Sequence, residues 1–542
     1  MAFRNPIVPG FNPDPTICRV GLDYFLATST FEYFPGVPIY TSRDLVSWQL
    51  IGHALNRRSQ LDLRAVESGG GIFAPTLRYH DGRWYMTTTC FHRRSPAIAG
   101  DTRIMARGFY VWTEDIWDQS RWSDPIYFDA TGIDQDLFFD DNGNVYLTWA
   151  KYIPELDPMP PKHYNLSCFT MQVDLATGRS LSPAKMVRHN STIGNWVSEG
   201  PHIIKRGEWY YLITADGGTH TAHQEWVCRS KQGPFGPWEE GPPEINPVIY
   251  NGDDEVVTMT GHMDMVEGTD GRWWAVCLAV RPQNGHQSQL GRETFLMPVE
   301  WVDDWPVVNG GHKIGLCGPL SAGLPQLPPE SSWVAKFKPS MDLGAAGWYH
   351  LRTPVRPDYD LTTRPGSLGI LGGPYGLDED ESLSMVLRKQ TTFHGVWRTT
   401  VDFDPHEQGQ GAGVAVWWSK WAHALLGIRG GHGGAKELVF RYAEPGGTSF
   451  RETTFPAPAG AITIEITTTP EDYSFALVDG VSGKSAVVGT ASAASLTHRW
   501  PLSSPFTGTH FALYAHGFGG VGCSSPAWFS DVSWRGVREG GP

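Results

Sequence analysis

The chain has 542 residues, with 62 Gly, 41 Pro and 23 Trp but only 18% charged residues, which fits a turn-rich aromatic β protein and excludes a mainly helical or disordered one. A formal charge of −14 argues against nucleic acid or an anionic membrane as partner, and no apolar run approaches the ~20 residues of a membrane-spanning helix. The seven cysteines, at 18, 90, 168, 228, 277, 317 and 523, are scattered and form no C-x-x-C pair, so neither a zinc cluster nor a disulfide framework is indicated.

The start, Met1-Ala-Phe-Arg-Asn-Pro, carries no basic-then-apolar signal segment and reads as an intracellular protein or a mature secreted form. Asn12-Pro-Asp-Pro15 follows, setting Asp14 between two prolines that leave its backbone little slack. A catalytic base gains from such preorganisation, although a turn aspartate is the plainer reading. Then a phrase recurs five times, a polar glycine turn followed by an aromatic strand: Gly21-Leu-Asp-Tyr-Phe-Leu-Ala, Asp81-Gly-Arg-Trp-Tyr-Met-Thr, Asn142-Gly-Asn-Val-Tyr-Leu-Thr, Arg206-Gly-Glu-Trp-Tyr-Tyr-Leu and Asp270-Gly-Arg-Trp-Trp-Ala-Val. The period is about 60 residues. Ser/Thr-rich strands ending in Trp, such as Thr41–Trp48 and Trp112–Trp117, raise each unit to three or four strands. Such units are propeller blades, and five copies predict five blades.

The phase of the polar residues carries the chemistry. Asp14, Asp134, Glu199 and His262 each lie about seven to nine residues before their glycine, so equivalent innermost strands bring them to the axis of a ring. Strand alternation puts Asp134 and Asp136 on one face, leaving Asp136 as a neighbour of the site or a calcium ligand. Glu199 sits in Trp196-Val-Ser-Glu-Gly-Pro-His202, where desolvation and the Asp134 charge raise its pKa toward that of a general acid. Phe73 holds the same phase in the second blade and supplies an apolar wall. His262 is either a structural histidine or part of the site. Arg292 either reaches back to the axis or makes a surface ion pair. Burying three carboxylates together is costly, a cost that catalytic sites tolerate.

The repeats stop near Trp305. Residues 315–330 are rich in Pro and Gly and read as a linker. Beyond it Ser382–Leu387, Val396–Phe403, Ala461–Thr467 and His510–Ala515 alternate as half-buried strands of an antiparallel β-sandwich. The organisation expected is a propeller over 1–314, a linker over 315–345 and a sandwich over 346–542. Asn165 and Asn190 match the N-x-S/T sequon.

Asn12-Pro-Asp-Pro, Ser29-Thr-Phe-Glu-Tyr-Phe-Pro-Gly, Phe73-Ala-Pro-Thr, Ile133-Asp-Gln-Asp-Leu-Phe, Glu199-Gly-Pro-His, Gly261-His-Met-Asp and Gly291-Arg-Glu-Thr, in that order, resemble the signature segments of glycoside hydrolase family 43. The likeness is to its two-domain β-xylosidases and α-L-arabinofuranosidases. Trp348-Tyr-His-Leu-Arg-Thr-Pro and Arg364-Pro-Gly-Ser-Leu resemble the lectin-like (concanavalin A-like) sandwich of those members. The resemblance implies an inverting exo-glycosidase with Asp14 as general base, Glu199 as general acid and Asp134 as the acid that tunes and orients. It implies Phe31, Phe73, His262 and Arg292 as pocket residues, xylan- or arabinoxylan-derived saccharides as substrates, and no required cofactor. It leaves room for a calcium beside His262 and for an oligomer. Phe73 stands where many β-xylosidases have tryptophan, and Gln135-Asp136 replaces a Pro-Ser or Ala-Ser pair. A carbohydrate-binding propeller without catalysis and a structural propeller with an axial cation are the competing classes.

Overall fold

The recurring glycines, Gly21, Gly82, Gly143, Gly207 and Gly271, take left-handed φ of 60–80° in the turns joining the first two strands of five antiparallel sheets. The computed structural model describes residues 3–537 apart from 65, 94–103, 154–164, 195, 284–287, 320–323, 325–331, 446–448 and 498–505. The protein is all-β. Thr16–Val20, Asp23–Ala27, Gly36–Ser42 and Gln49–Leu55 form blade 1. Blades 2 to 5 begin with Gly71–His80, Ile133–Phe139, Ser198–Arg206 and Thr258–Glu267, and each likewise has four strands. These first strands pack on one another around the axis. Between blades the cores are apolar; Phe25, Ile39, Trp84 and Trp122, for example, join blades 1 and 2.

The N-terminus closes the ring against Glu293–Val302 of blade 5. Ile7 N–H donates to the Thr294 carbonyl at 2.9 Å. The Asn5 side chain imitates a strand partner, donating to the Leu296 carbonyl at 3.0 Å and accepting from the Leu296 N–H at 2.9 Å.

The C-terminal region is the expected sandwich of two eight-stranded sheets. One is built around Gly395–Asp402 and Ala527–Gly536, the other around Gly411–Ser419 and His510–His516. Trp348, Trp397, Phe511 and Trp534 fill the space between them. Gly395–Asp402 alternates buried and accessible residues, whereas Gly411–Ser419 is buried at every position. The second strand lies in a sheet covered on both sides, because its other face packs on the propeller through Phe11, Phe31, Tyr33 and Phe73. The propeller also contributes a strand: Tyr33–Phe34 pairs with Tyr349–Leu351 and extends that sheet.

Most of the stretch read as linker, 320–323 and 325–330, lies outside the described residues. Trp333–Val334, inside the expected 315–345 span, pairs with Ala527–Gly536, and Phe337 and Leu343 enter the sandwich core. All seven cysteines are free. Both sequon asparagines are buried, with Asn165 donating to the Ile153 carbonyl and Asn190 to the Asp216 carboxylate.

Candidate active site

The innermost strands break register where the polar residues lie. Bulges fall between Phe73 and Thr76, Ile133 and Asp136, Glu199 and His202, and Gly261 and Asp264. Within three of them the backbone turns left-handed, with φ of 59° at Asp134, 55° at Gly200 and 56° at His262; Asp14, just ahead of Thr16–Val20, has 53°. Such a conformation costs a non-glycine residue roughly 1–3 kcal/mol. A bulge in exchange re-aims its side chain, here toward the axis. Asp14 departs from the conformation its sequence suggests, because a residue before proline is biased to extended backbone. What holds it is a set of bonds from blade 5 and from Ser29 of its own blade. Asn12 N–H donates to the Arg292 carbonyl at 3.0 Å, Ser29 N–H to the Pro13 carbonyl at 3.1 Å, and Thr294 Oγ1 to the Asn12 carbonyl at 2.7 Å.

Three donors point at the Asp14 carboxyl. Arg292 Nη1 donates to Oδ1 at 2.8 Å, Arg292 Nη2 to Oδ2 at 3.4 Å, and Ser29 Oγ to Oδ2 at 2.6 Å. His262 Nδ1 lies 3.9 Å from Oδ1. Across the axis, Asp134 Oδ2 accepts the Gly200 N–H at 2.9 Å, so it grips the residue next to Glu199. Burial pushes the Asp134 carboxyl up to about 7, with the Gly200 N–H opposing and the Asp14 charge adding. Glu199 is pushed well above the usual carboxylate range by burial first, then by the charges of Asp134 and Asp14. No described side chain hydrogen-bonds its carboxyl. His262 is drawn down to about 4 by burial, so its ring is neutral near pH 7. Gly200 lies flat on that ring; a Cβ there would come within 3.1 Å of it.

The wall is aromatic. Phe31 and Phe73 are 4.9 Å apart, and Phe73 stacks on Phe91 at 4.5 Å. The Arg292 guanidinium stands 5.4 Å above Phe31 and is buried, so of its two expected placements the axial one holds. A ring from the sandwich completes the group: Phe506 stacks 5.8 Å from Phe31, and its carbonyl accepts from Arg292 Nε and Nη2 at 3.3 and 3.2 Å. The Gln135 amide donates to the Gly132 carbonyl at 2.9 Å and accepts from Thr89 Oγ1, and its side chain fills the space over Gly108.

Further along the same strands lies a second ring: Thr16, Asp136 and Asp264, two residues beyond Asp14, Asp134 and His262, with His202 three beyond Glu199 and Arg78 five beyond Phe73. Arg78 Nη1 donates to Asp264 Oδ2 at 2.8 Å, and Arg78 Nη2 lies 3.1 Å from Asp136 Oδ1 and 3.2 Å from His202 Nδ1. Thr16 Oγ1 and Ile17 N–H also donate to Asp264 Oδ2, at 2.8 and 3.0 Å. Burial would raise Asp264, but Arg78 outweighs it and holds the carboxyl at about 2. Asp136 thus stands beside the acid ring as an ion-pair partner of Arg78. Calcium takes about six to eight oxygens. Those nearest His262 are already engaged, Asp14 by Arg292 and Ser29, and Asp264 by Arg78, Thr16 and Ile17. Among the described residues no group of three His, Cys, Asp or Glu side chains could hold a metal ion.

Asp14, Asp134, Glu199, His262, Phe31, Phe73 and Arg292 therefore converge. Sequence reasoning missed Phe506, Ser29 and Arg78. Arg78 stands two residues beyond Thr76, the blade-2 register equivalent of Thr16 and His202, so the period alone does not reveal it. Phe506 ends a Pro/Ser-rich stretch with no periodicity to reveal it.

Residues 3–306 match the family described as glycosyl hydrolases family 43, and residues 340–535 match the β-xylosidase C-terminal concanavalin A-like domain. A non-reducing end α-L-arabinofuranosidase of Bacteroides ovatus is 35% identical, covering 98% of this chain and 94% of its own. A xylosidase/arabinosidase of Humicola insolens is 34% identical over 84% of this chain and 82% of its own. The crystal structure of a xylan β-1,4-xylosidase of Bacillus halodurans superposes with a TM-score of 0.86 at 30% identity, covering 98% of this chain and 99% of that one.

Proposed function

The chain belongs to glycosyl hydrolase family 43 and is a glycosidase, and from that premise we propose that it is an inverting exo-enzyme releasing terminal β-D-xylose and/or α-L-arabinofuranose from xylan-derived chains. The observation that carries the mechanism is an asymmetry among three carboxyls, Asp14 and Asp134 buried and Glu199 half-buried: Arg292 and Ser29 donate to Asp14, while Glu199 has no described donor and is pushed to hold its proton. Glu199 donates that proton to the glycosidic oxygen as the C1–O bond breaks. Asp14 accepts a proton from the water whose oxygen bonds to C1 from the opposite face. Single-step inversion needs about 6.5–9.5 Å between the two carboxyls to seat that water. Asp134 shares the acid-side charge with Glu199, so the pair retains a proton near neutrality.

Phe31, Phe73 and Phe506 suit a sugar without a bulky exocyclic group, and Arg292 and His262 are placed to bind its hydroxyls. The relatives' names, arabinofuranosidase and xylosidase/arabinosidase, support a pentose. Family membership sets aside the non-catalytic readings. The test is turnover of aryl β-xyloside and aryl α-arabinofuranoside, with proton NMR of the anomer first released. The expected product is the inverted anomer, lost in both Asp14→Ala and Glu199→Ala. Retained configuration, or near-normal turnover by either variant, rejects the mechanism.

A further inference from the structure

We propose that Lys389, on the sandwich, is a positioning residue for Asp14, acting through Asn12. The inference rests on the reading of Asp14 as the base. Lys389 ends the strand Met385–Lys389, and its Nζ donates to Asn12 Oδ1 at 2.8 Å across the seam between the modules. Asn12 opens the Asn-Pro-Asp-Pro segment and every polar group it has is engaged. Besides its backbone bonds to Arg292 and Thr294, its Nδ2 donates to the Pro9 carbonyl at 3.0 Å, and its Oδ1 also accepts from Tyr40 Oη at 2.8 Å and Thr28 Oγ1 at 3.4 Å. The segment is not a ladder strand, so the placement of Asp14 depends on these anchors.

The seam around the lysine is closely packed. Gly10 approaches Gln390 so closely that a Cβ would lie 2.3 Å from its carbonyl oxygen. Nζ sits 5.3 Å from the Phe11 ring and 5.1 Å from Tyr349. No described carboxylate acts on it. His53 and His510, which its charge helps to depress, are drawn down to about 3 by burial and offer no countercharge. Burial likewise draws the Lys389 ammonium down to about 7, and charged or neutral the nitrogen keeps hydrogens to donate. An apolar side chain would fill a merely structural seam without the desolvation of a cation. The hydrogen bond to Asn12 supplies the reason for a lysine.

The test is a double-mutant cycle in the full chain, read as kcat on aryl pentosides with good and poor leaving groups. Lys389→Met lowers kcat about tenfold or more, with KM and thermal midpoint nearly unchanged. The loss is equal on both substrates, because a displaced base is indifferent to the leaving group whereas a displaced acid is not. Asn12→Ala severs the same link from the propeller side and remains informative if Lys389→Met does not fold. It gives a loss of at least that size, and the double variant adds nothing to it. Lys389→Gln, which keeps a donor, recovers most of the activity. A kcat within twofold of wild type in Lys389→Met or Asn12→Ala, additive losses, or a loss confined to the poor leaving group overturns the inference. Asp14→Asn separates the two claims: if it stays active the base assignment fails, and if it is inactive while Lys389→Met is normal only the role of Lys389 fails.

Discussion

Two rings of polar side chains share the same five strands, one further along than the other, and their electrostatics are opposite. In the acid ring Asp134 is pushed up to about 7 and Glu199 well above its usual range. In the ring beneath, Arg78 sits between Asp136 and Asp264 and holds Asp264 near 2. Asp14 and Asp134 are buried, as Asp136 and Asp264 are, and Glu199 is half-buried. The difference is one guanidinium placed between carboxylates, against one placed to the side, where Arg292 serves Asp14 and offsets the Asp134–Glu199 pair only in part. Burial alone therefore does not make a catalytic acid. A compensated ring stabilises the fold, and a partly compensated one holds a proton for chemistry.

Substitutions test this division. Glu199→Gln keeps the shape and removes the donor, so kcat falls by ~10²–10⁴ while thermal unfolding shows stability kept or raised; a large loss of stability would place Glu199 in the wrong class. Arg78→Met does the converse, leaving two buried carboxylates unpaired at a cost of ~3–5 kcal/mol in urea unfolding. Asp134→Asn separates the rings by pH. The folded pKa of Asp134 lies above its unfolded value of about 3.9, so its stabilisation is present below about pH 4 and disappears as pH rises through about 7. Relative to wild type the variant thus gains stability over that window, on the order of 4 kcal/mol. The Asp264 contribution runs the other way, present above about pH 4 and lost as pH falls through about 2. Urea midpoints of both proteins from pH 4 to 8 check the sign. The smallest effect is that of Thr16→Val, which removes one of the donors to Asp264 for about 1 kcal/mol and leaves kcat unchanged.

The blade count and the converging acids were legible because both follow from a period: a glycine turn every ~60 residues fixes the phase of whatever precedes it. The local backbone was not. The prolines around Asp14 suggested stiffness, but the left-handed turn there depends on Arg292, Ser29 and Thr294, which are distant in sequence. The bulges at Asp134, Glu199 and His262 carry no composition signal beyond Gly200 and Gly261. Contributions from the sandwich were the least visible. Phe506 and Lys389 matter through where the seam brings them, and a seam between two modules has no periodicity. Alternation likewise predicted half-buried strands, and Gly411–Ser419 differs because the propeller covers the face that alternation assigns to solvent.

Tyr33–Phe34 adds a final consequence. These two residues follow Phe31 in the first blade yet lie as an edge strand on the sandwich. A chimera joined at residues 320–330 would strip a neighbour from one sheet and an aromatic lid from the pocket in a single cut. The heritable unit is the propeller together with its companion, and a sandwich grafted from a relative must be matched to residues 31–34 and to the segment around Phe506 for the recombinant enzyme to work.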